Sequence, residues 1–178
     1  MKKILVVLTM VIVLTACQTT PTYNNYDKAL ANWTSYEDVA KWLNSRFNYS
    51  FERQRQAKGA DVARSPESLY EIGKGYSTDA AYFAKESLNK INPEYKARLI
   101  YIVNRERGNN HWATGFYVNG ELYVMDYGAG FNWKEMHGVH GPYKSLAEYY
   151  HFLEMLHVPN FRVKSVYWRD LPDSFTRD

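Results

Sequence analysis

The chain has 178 residues, a single cysteine and a formal charge of +3. That length suits one domain with a real hydrophobic core, the small charge gives a nucleic-acid role no electrostatic support, and a lone cysteine excludes a disulfide framework. The 16 tyrosines and 5 tryptophans suit a core that borders a wet groove, since their rings are apolar and their tips polar.

The first element is the stretch "MKKILVVLTMVIVLTAC". Its basic start, Lys2 and Lys3, precedes an apolar run from Ile4 to Leu14. The run is too short for a stable membrane span and fits the core of a signal peptide. Leu14-Thr15-Ala16-Cys17 resembles the lipobox of bacterial lipoproteins. The resemblance implies that residues 1–16 are removed and that Cys17 is acylated as the first mature residue, so no thiol remains for catalysis. Loss of Lys2 and Lys3 lowers the charge of +3 by two, to +1. Each buried acyl methylene adds ~0.8 kcal/mol of membrane affinity, so the lipid alone can hold the protein on a membrane. Gln18, rather than Asp, after the cysteine implies the periplasmic side of the outer membrane. Residues 17–30, with the polar "QTTPTYNN" inside them, read as a lipidated tether; residues 31–178 read as the domain.

Thr34 with Glu37 forms a capping-box pattern, and Tyr36, Val39, Ala40, Leu43 and Phe47 follow at helical spacing. "ERQRQAKGADVAR" is charged and without period, which predicts an exposed loop, with a solvated helical extension as the alternative for its first half. Ser65-Pro66 opens a short helix that should stop near Gly73. Another begins near Ser77, turns Ala80, Ala81, Ala84 and Leu88 inward, and ends at Asn92-Pro93. The apolar run Ala97–Val103 predicts a buried strand. "HWATGFYV" and "ELYVMDY" flank Asn119-Gly120, a strong hairpin signal because a type I′ turn needs positive φ at both positions. The glycine-rich "MHGVHGPY" reads as a loop beside a groove. A helix over about 145–156 and a strand "FRVKSVYW" close the chain. Helices followed by mainly antiparallel strands make the class α+β.

The hairpin fixes a register by counting. Val118 opposes Glu121, Phe116 opposes Tyr123, and Ala113 opposes Asp126. Opposed residues share a face, as do residues two apart on one strand. His111 and Asp126 are therefore diagonal neighbours on one face. A carboxylate beside a histidine holds its tautomer and stabilises the imidazolium while the other ring nitrogen acts as a base. Ser77 stands where a helix begins, and the free N–H groups there favour an oxyanion. Each residue also has a plainer reading: Ser77 as a helix cap, His111 as a packed strand residue, and Asp126 as a backbone-bonded carboxylate.

Together, "SPESLYEIGKGYSTDAAYFAKESL", "ARLIYIV" and "HWATGFYVNGELYVMDYG" resemble the transglutaminase-like domain of the papain-like superfamily, from about Ser65 to Gly128. The resemblance implies N-terminal helices packed on a mainly antiparallel sheet, acyl transfer on amides, and catalytic positions at Ser77, His111 and Asp126. The family has cysteine where this chain has Ser77. A histidine-paired thiol ionises with a pKa of ~3–4 before attack; a hydroxyl must lose its proton during attack, and a misplacement of ~1 Å costs on the order of a hundredfold in rate. The expectation is an anchored, degenerate member that binds peptide or protein in a groove. An active Ser-His-Asp amide hydrolase or acyltransferase and a purely structural envelope lipoprotein are the alternatives. Tyr76, Trp112, Tyr127 and Trp133 are the candidates to line the groove. Asp79 reads as a complement to the helix dipole. His137 and His140, with His111 or Glu135, are too weakly spaced to imply a metal, so neither metal nor cofactor is expected.

Overall fold

A computed structural model describes residues 25–58, 61–106 and 110–171; the stretch expected to be a signal peptide and Cys17 lie outside the described residues. Asn25 caps α1 (Tyr26–Asn32) by accepting the Lys28 N–H at 2.9 Å. Helical structure thus begins inside the stretch read as a tether. Tyr26 and Ala29 are buried because α1 packs on the domain's longest helix, where the Tyr26 hydroxyl lies 3.0 Å from Ser87 Oγ.

The next helix, α2 (Tyr36–Arg46), is capped one residue later than the Thr34–Glu37 pattern predicts. Ser35 is the cap, and Asp38 accepts the backbone N–H groups of Thr34 at 2.8 Å and Ser35 at 3.2 Å. Both frames place a hydroxyl three residues ahead of an acid, so local sequence does not choose between them. The apolar face is as expected, with Val39, Ala40 and Leu43 buried and Trp42 added to them.

Strand β1 (Asn48–Tyr49) leads into α3 (Phe51–Ala57), so the first half of the charged stretch takes the helical alternative and not the loop. The Ser50 side chain caps this helix, accepting the Arg53 N–H at 3.2 Å. Charge misleads here because Arg53 turns inward to an acid of another helix. The helix α4 (Pro66–Ile72) is capped by Ser65, carries its proline in the first turn and stops at Gly73. Strand β2 (Lys74–Gly75) pairs parallel with β1 and delivers the chain to α5 (Ser77–Ile91). The four inward positions expected of α5 are all buried.

Five strands complete the fold: β3 (Arg98–Asn104), β4 (His111–Val118), β5 (Glu121–Asp126), β6 (Gly138–Tyr143) and β7 (Val163–Trp168), with α6 (Leu146–Met155) before the last. They lie in the order β6-β5-β4-β3-β7, every neighbour antiparallel. The β4–β5 register is the one the Asn-Gly turn dictates, Val118 opposite Glu121 and Phe116 opposite Tyr123. Asn119 and Gly120 have φ of 52° and 84°. Space around Gly120 is open, so glycine serves the left-handed backbone there and not a close contact. The "MHGVHGPY" stretch is a correction: a 3₁₀ segment, Phe131–Met136, runs into edge strand β6. Pairing with β5 decides its conformation over the low strand preference of glycine and proline, which an edge strand tolerates.

Helix α5 covers one face of the sheet, where the Thr114 hydroxyl donates to the Ala81 carbonyl at 2.6 Å and Phe83, Leu88, Phe116 and Met125 share a core. Trp42 stacks on Phe83 with ring centres 4.5 Å apart, locking α2 to α5. Helix α6 covers the opposite face over Ile100, Ile102, Ala113 and Val124. The class is α+β. No helix among the described residues is long and apolar enough to cross a membrane.

Candidate active site

Strand β4 opens with His111 and β5 ends with Asp126, and the register places the two side chains together as counted. His111 Nε2 donates to Asp126 Oδ2 at 2.6 Å, with His111 2% and Asp126 1% exposed. Asp126 Oδ1 accepts the Gly128 N–H at 3.1 Å. Each carboxylate oxygen thus has a donor, and the acid holds the proton on Nε2. That tautomer leaves Nδ1 as the basic nitrogen. Trp133 stands edge-on to the imidazole, 5.7 Å between ring centres at 83°, which restrains the ring from its open side.

Ser77 is the first residue of α5. It makes no capping hydrogen bond, so the helix-cap reading does not hold. The cap position is Tyr76, whose N–H is accepted by Asp79 Oδ2 at 3.0 Å. The chain leaving β5 crosses directly over Ser77: a Cβ on Gly128 would stand 2.5 Å from Ser77 Cα. Only glycine permits that approach. Ser77 and His111 border one cavity of about 200 Å³. No hydrogen bond joins Ser77 to the imidazole; such contacts are commonly loose before substrate binds.

Asp79 does more than complement a helix dipole. It is fully buried, accepts the Arg64 N–H at 2.7 Å, and faces Arg53 Nε at 3.4 Å. Burial pushes its carboxyl above the usual range, opposed by the two N–H donors and the guanidinium. Through this acid the wall helix α3 is tied to the start of α5.

Of the four groove candidates, only Trp133 borders the cavity. Tyr76 is buried, its hydroxyl donating to the Val62 carbonyl at 2.7 Å. Trp112 follows His111 on the strand and so points to the opposite face, where its indole N–H donates to Asp61 at 3.1 Å. Tyr127 packs on His137, 6.1 Å between rings. The walls that sequence reading missed are Tyr49, Phe51 and Gln54 on one side and Phe131 and Asn132 on the other. Phe51 and Phe131 are 54% and 71% exposed, and no local sequence pattern sets them apart from the core aromatics nearby.

His137 donates to the Ala129 carbonyl at 2.6 Å and His140 to the Met136 carbonyl at 2.8 Å. Both rings therefore brace the segment that carries Phe131 and Trp133. Among the described residues no group of three or more His, Cys, Asp or Glu could hold a metal ion. On the α6 face Tyr149 is wholly buried, and its hydroxyl has no partner among the described residues. Burial first, and the charge of Asp126 second, push that hydroxyl well above its ordinary pKa.

The buried His–Asp pair thus stands on adjacent antiparallel strands and faces a cavity that opens on the first residue of a packed helix. A family model described as a transglutaminase-like domain matches residues 23–131, and the chain belongs to that family. The match takes in Ser77, His111 and Asp126. UPF0252 protein PH1321 of Pyrococcus horikoshii is 26% identical over 100 residues, covering 55% of this chain and 28% of that protein. A solved structure titled "Crystal structure of a TGase" superposes with a TM-score of 0.41 at 14% identity, over 68% of this chain and 33% of that one. The chain thus spans about a third or less of the length of these relatives.

Proposed function

We propose that this transglutaminase-like domain is a catalytically degenerate member, carried as a lipoprotein on the periplasmic side of the outer membrane, that binds a peptide or protein segment in the Ser77–His111 cavity without efficient turnover. The observation that carries the reading is an intact His111–Asp126 pair, 2.6 Å apart, on the same cavity as Ser77, which the resemblance sets at the place of the family's thiol. A thiol there would be ionised by the imidazole before attack; serine keeps its proton and reacts only if oxygen, base and carbonyl are aligned together. The cavity is open, and neither Tyr76 nor Trp112 fills it, which favours ligand binding over a purely structural role. The lipobox Leu14-Thr15-Ala16-Cys17 supports the anchoring.

The preserved pair favours a second reading, an active hydrolase or acyltransferase. In it, Nδ1 of His111 takes the Ser77 proton as Oγ attacks an amide carbonyl, and the free N–H groups at the start of α5 face the oxyanion. Asp126 stabilises the imidazolium, which returns the proton to the leaving amine. Water or a second amine then takes the acyl group from Ser77. The test is turnover of an activated ester and of ammonia release from a capped glutaminyl peptide, by the natural chain and by Ser77→Ala. The lead reading predicts both proteins at the blank rate. Turnover by the natural chain that Ser77→Ala abolishes establishes the second reading instead.

A further inference from the structure

The cavity beside Ser77 and His111 has a chemical character that neither residue requires. Among the described residues that line it, none is Asp, Glu, Lys or Arg. Its walls are aromatic, with Tyr49 and Phe51 entering from β1 and α3, and Phe131 and Trp133 from the 3₁₀ segment. Phe51 is held edge-on by Tyr49, ring centres 4.9 Å apart. Trp133 is held by Phe161 at 5.1 Å and by its N–H donating to the Pro159 carbonyl at 3.1 Å. These are fixed surfaces. Phe51 and Phe131 nevertheless remain more than half exposed, although large apolar side chains gain from burial. Exposed rings on both sides of one cavity mark a place that a ligand covers.

We infer that the site selects an extended peptide segment whose side chains flanking the bound carbonyl are apolar or aromatic and uncharged, with Phe51 and Phe131 as the specificity-determining residues. This rests on the peptide-binding reading above. A charged flank would lose water without gaining a partner of opposite charge among the described lining residues; Lys134, whose ammonium lies over the Phe131 ring at 4.1 Å, stands outside that lining. The size agrees: about 200 Å³ is below the ~300–1,000 Å³ of a pocket that encloses a whole drug-sized ligand, and fits side chains of a strand laid across it. The amide side chains of Gln54 and Asn132, also in the lining, each offer a donor and an acceptor, the pair that a peptide backbone needs. A glycan would stack on the same rings, and the oligosaccharide probe below separates that ligand from a peptide.

The test is calorimetric titration of the full chain with four capped probes. Three are hexapeptides with a central glutamine, flanked by Phe and Leu, by Asp and Glu, or by Lys. The fourth is a chitooligosaccharide. We expect the Phe/Leu peptide to bind at least tenfold more tightly than either charged peptide. Phe51→Ser and Phe131→Ser, both at exposed positions, should each weaken it about fivefold, with the melting temperature unchanged. Equal binding of all three peptides, tighter binding of a charged one, or affinity untouched by both substitutions overturns the selectivity while leaving peptide binding in place. Binding of the oligosaccharide alone, or of no probe, overturns the peptide reading and this inference with it.

Discussion

A hydroxyl and a thiol at residue 77 make different demands on the same histidine. The thiol needs a nearby base once, to become an anion; the hydroxyl needs it in register with the attack. The His111–Asp126 pair serves either, since it is made by the two strands and not by residue 77. It was legible from sequence because a two-residue Asn-Gly turn leaves no freedom in the register, and counting from it reached both residues. Trp112 was misjudged as a groove residue although strand alternation alone turns it away from His111; Tyr76 was misjudged because its facing depends on a packing partner, Val62, that no local pattern announces. Tyr149 was invisible on the same ground. Its buried hydroxyl has no partner among the described residues, so removing it strands no donor or acceptor among them. Tyr149→Phe should be neutral or stabilising by up to about 1 kcal/mol in urea unfolding. A loss of about 2 kcal/mol or more would show that the hydroxyl serves Asp126 through a bound water.

The elements that position the site meet at two close contacts. Asp79 clamps α3 and the Arg64 backbone to the start of α5. Asp79→Ala removes the shared acceptor of two backbone N–H groups and one partner of the Arg53 guanidinium, and should cost about 2–4 kcal/mol, read as a fall in the urea midpoint at unchanged slope. A cost under about 1 kcal/mol would mean that the clamp is not a structural tie. At the second contact, Gly128→Ala drives a methyl into Ser77 Cα, and backbone cannot rotate away. With a cysteine at residue 77 it should slow alkylation at least tenfold. Sequence showed α4, α5 and the hairpin clearly, because each carries its own start and stop signals. It left α3 open between loop and helix, because the inward-turned Arg53 meets an acid 26 residues away that no local pattern announces.

At the scale of the whole molecule, partly buried tyrosines set the alkaline limit. Burial raises Tyr49, Tyr82 and Tyr143 to about 12, whereas an unfolded tyrosine ionises near ~10. Between those values the native state holds more protons than the unfolded one, so stability falls as pH rises. The melting temperature should be flat up to about pH 10 and fall between about pH 10 and 12. Phenolate absorbance that develops near pH ~10 with no loss of stability would contradict the burial. The order helix-then-strand gave the α+β class from sequence. The covering of both sheet faces was not legible, since it depends on where α6 docks. The proposed anchor predicts that Cys17→Ser releases the domain from membranes or blocks processing, read by fractionation; unchanged membrane partition would remove the lipid from the account.

The central claim is that the transglutaminase-like site is preserved and lacks only its thiol. Its most direct test is the alkylation rate of Ser77→Cys at neutral pH, with Cys17 removed, in the presence and absence of His111→Ala. The account predicts a thiol of depressed pKa that reacts faster than a free cysteine, and slows when the imidazole is gone. A residue 77 thiol that reacts no faster than a free one in either background would show that helix, histidine and aspartate are not organised for chemistry.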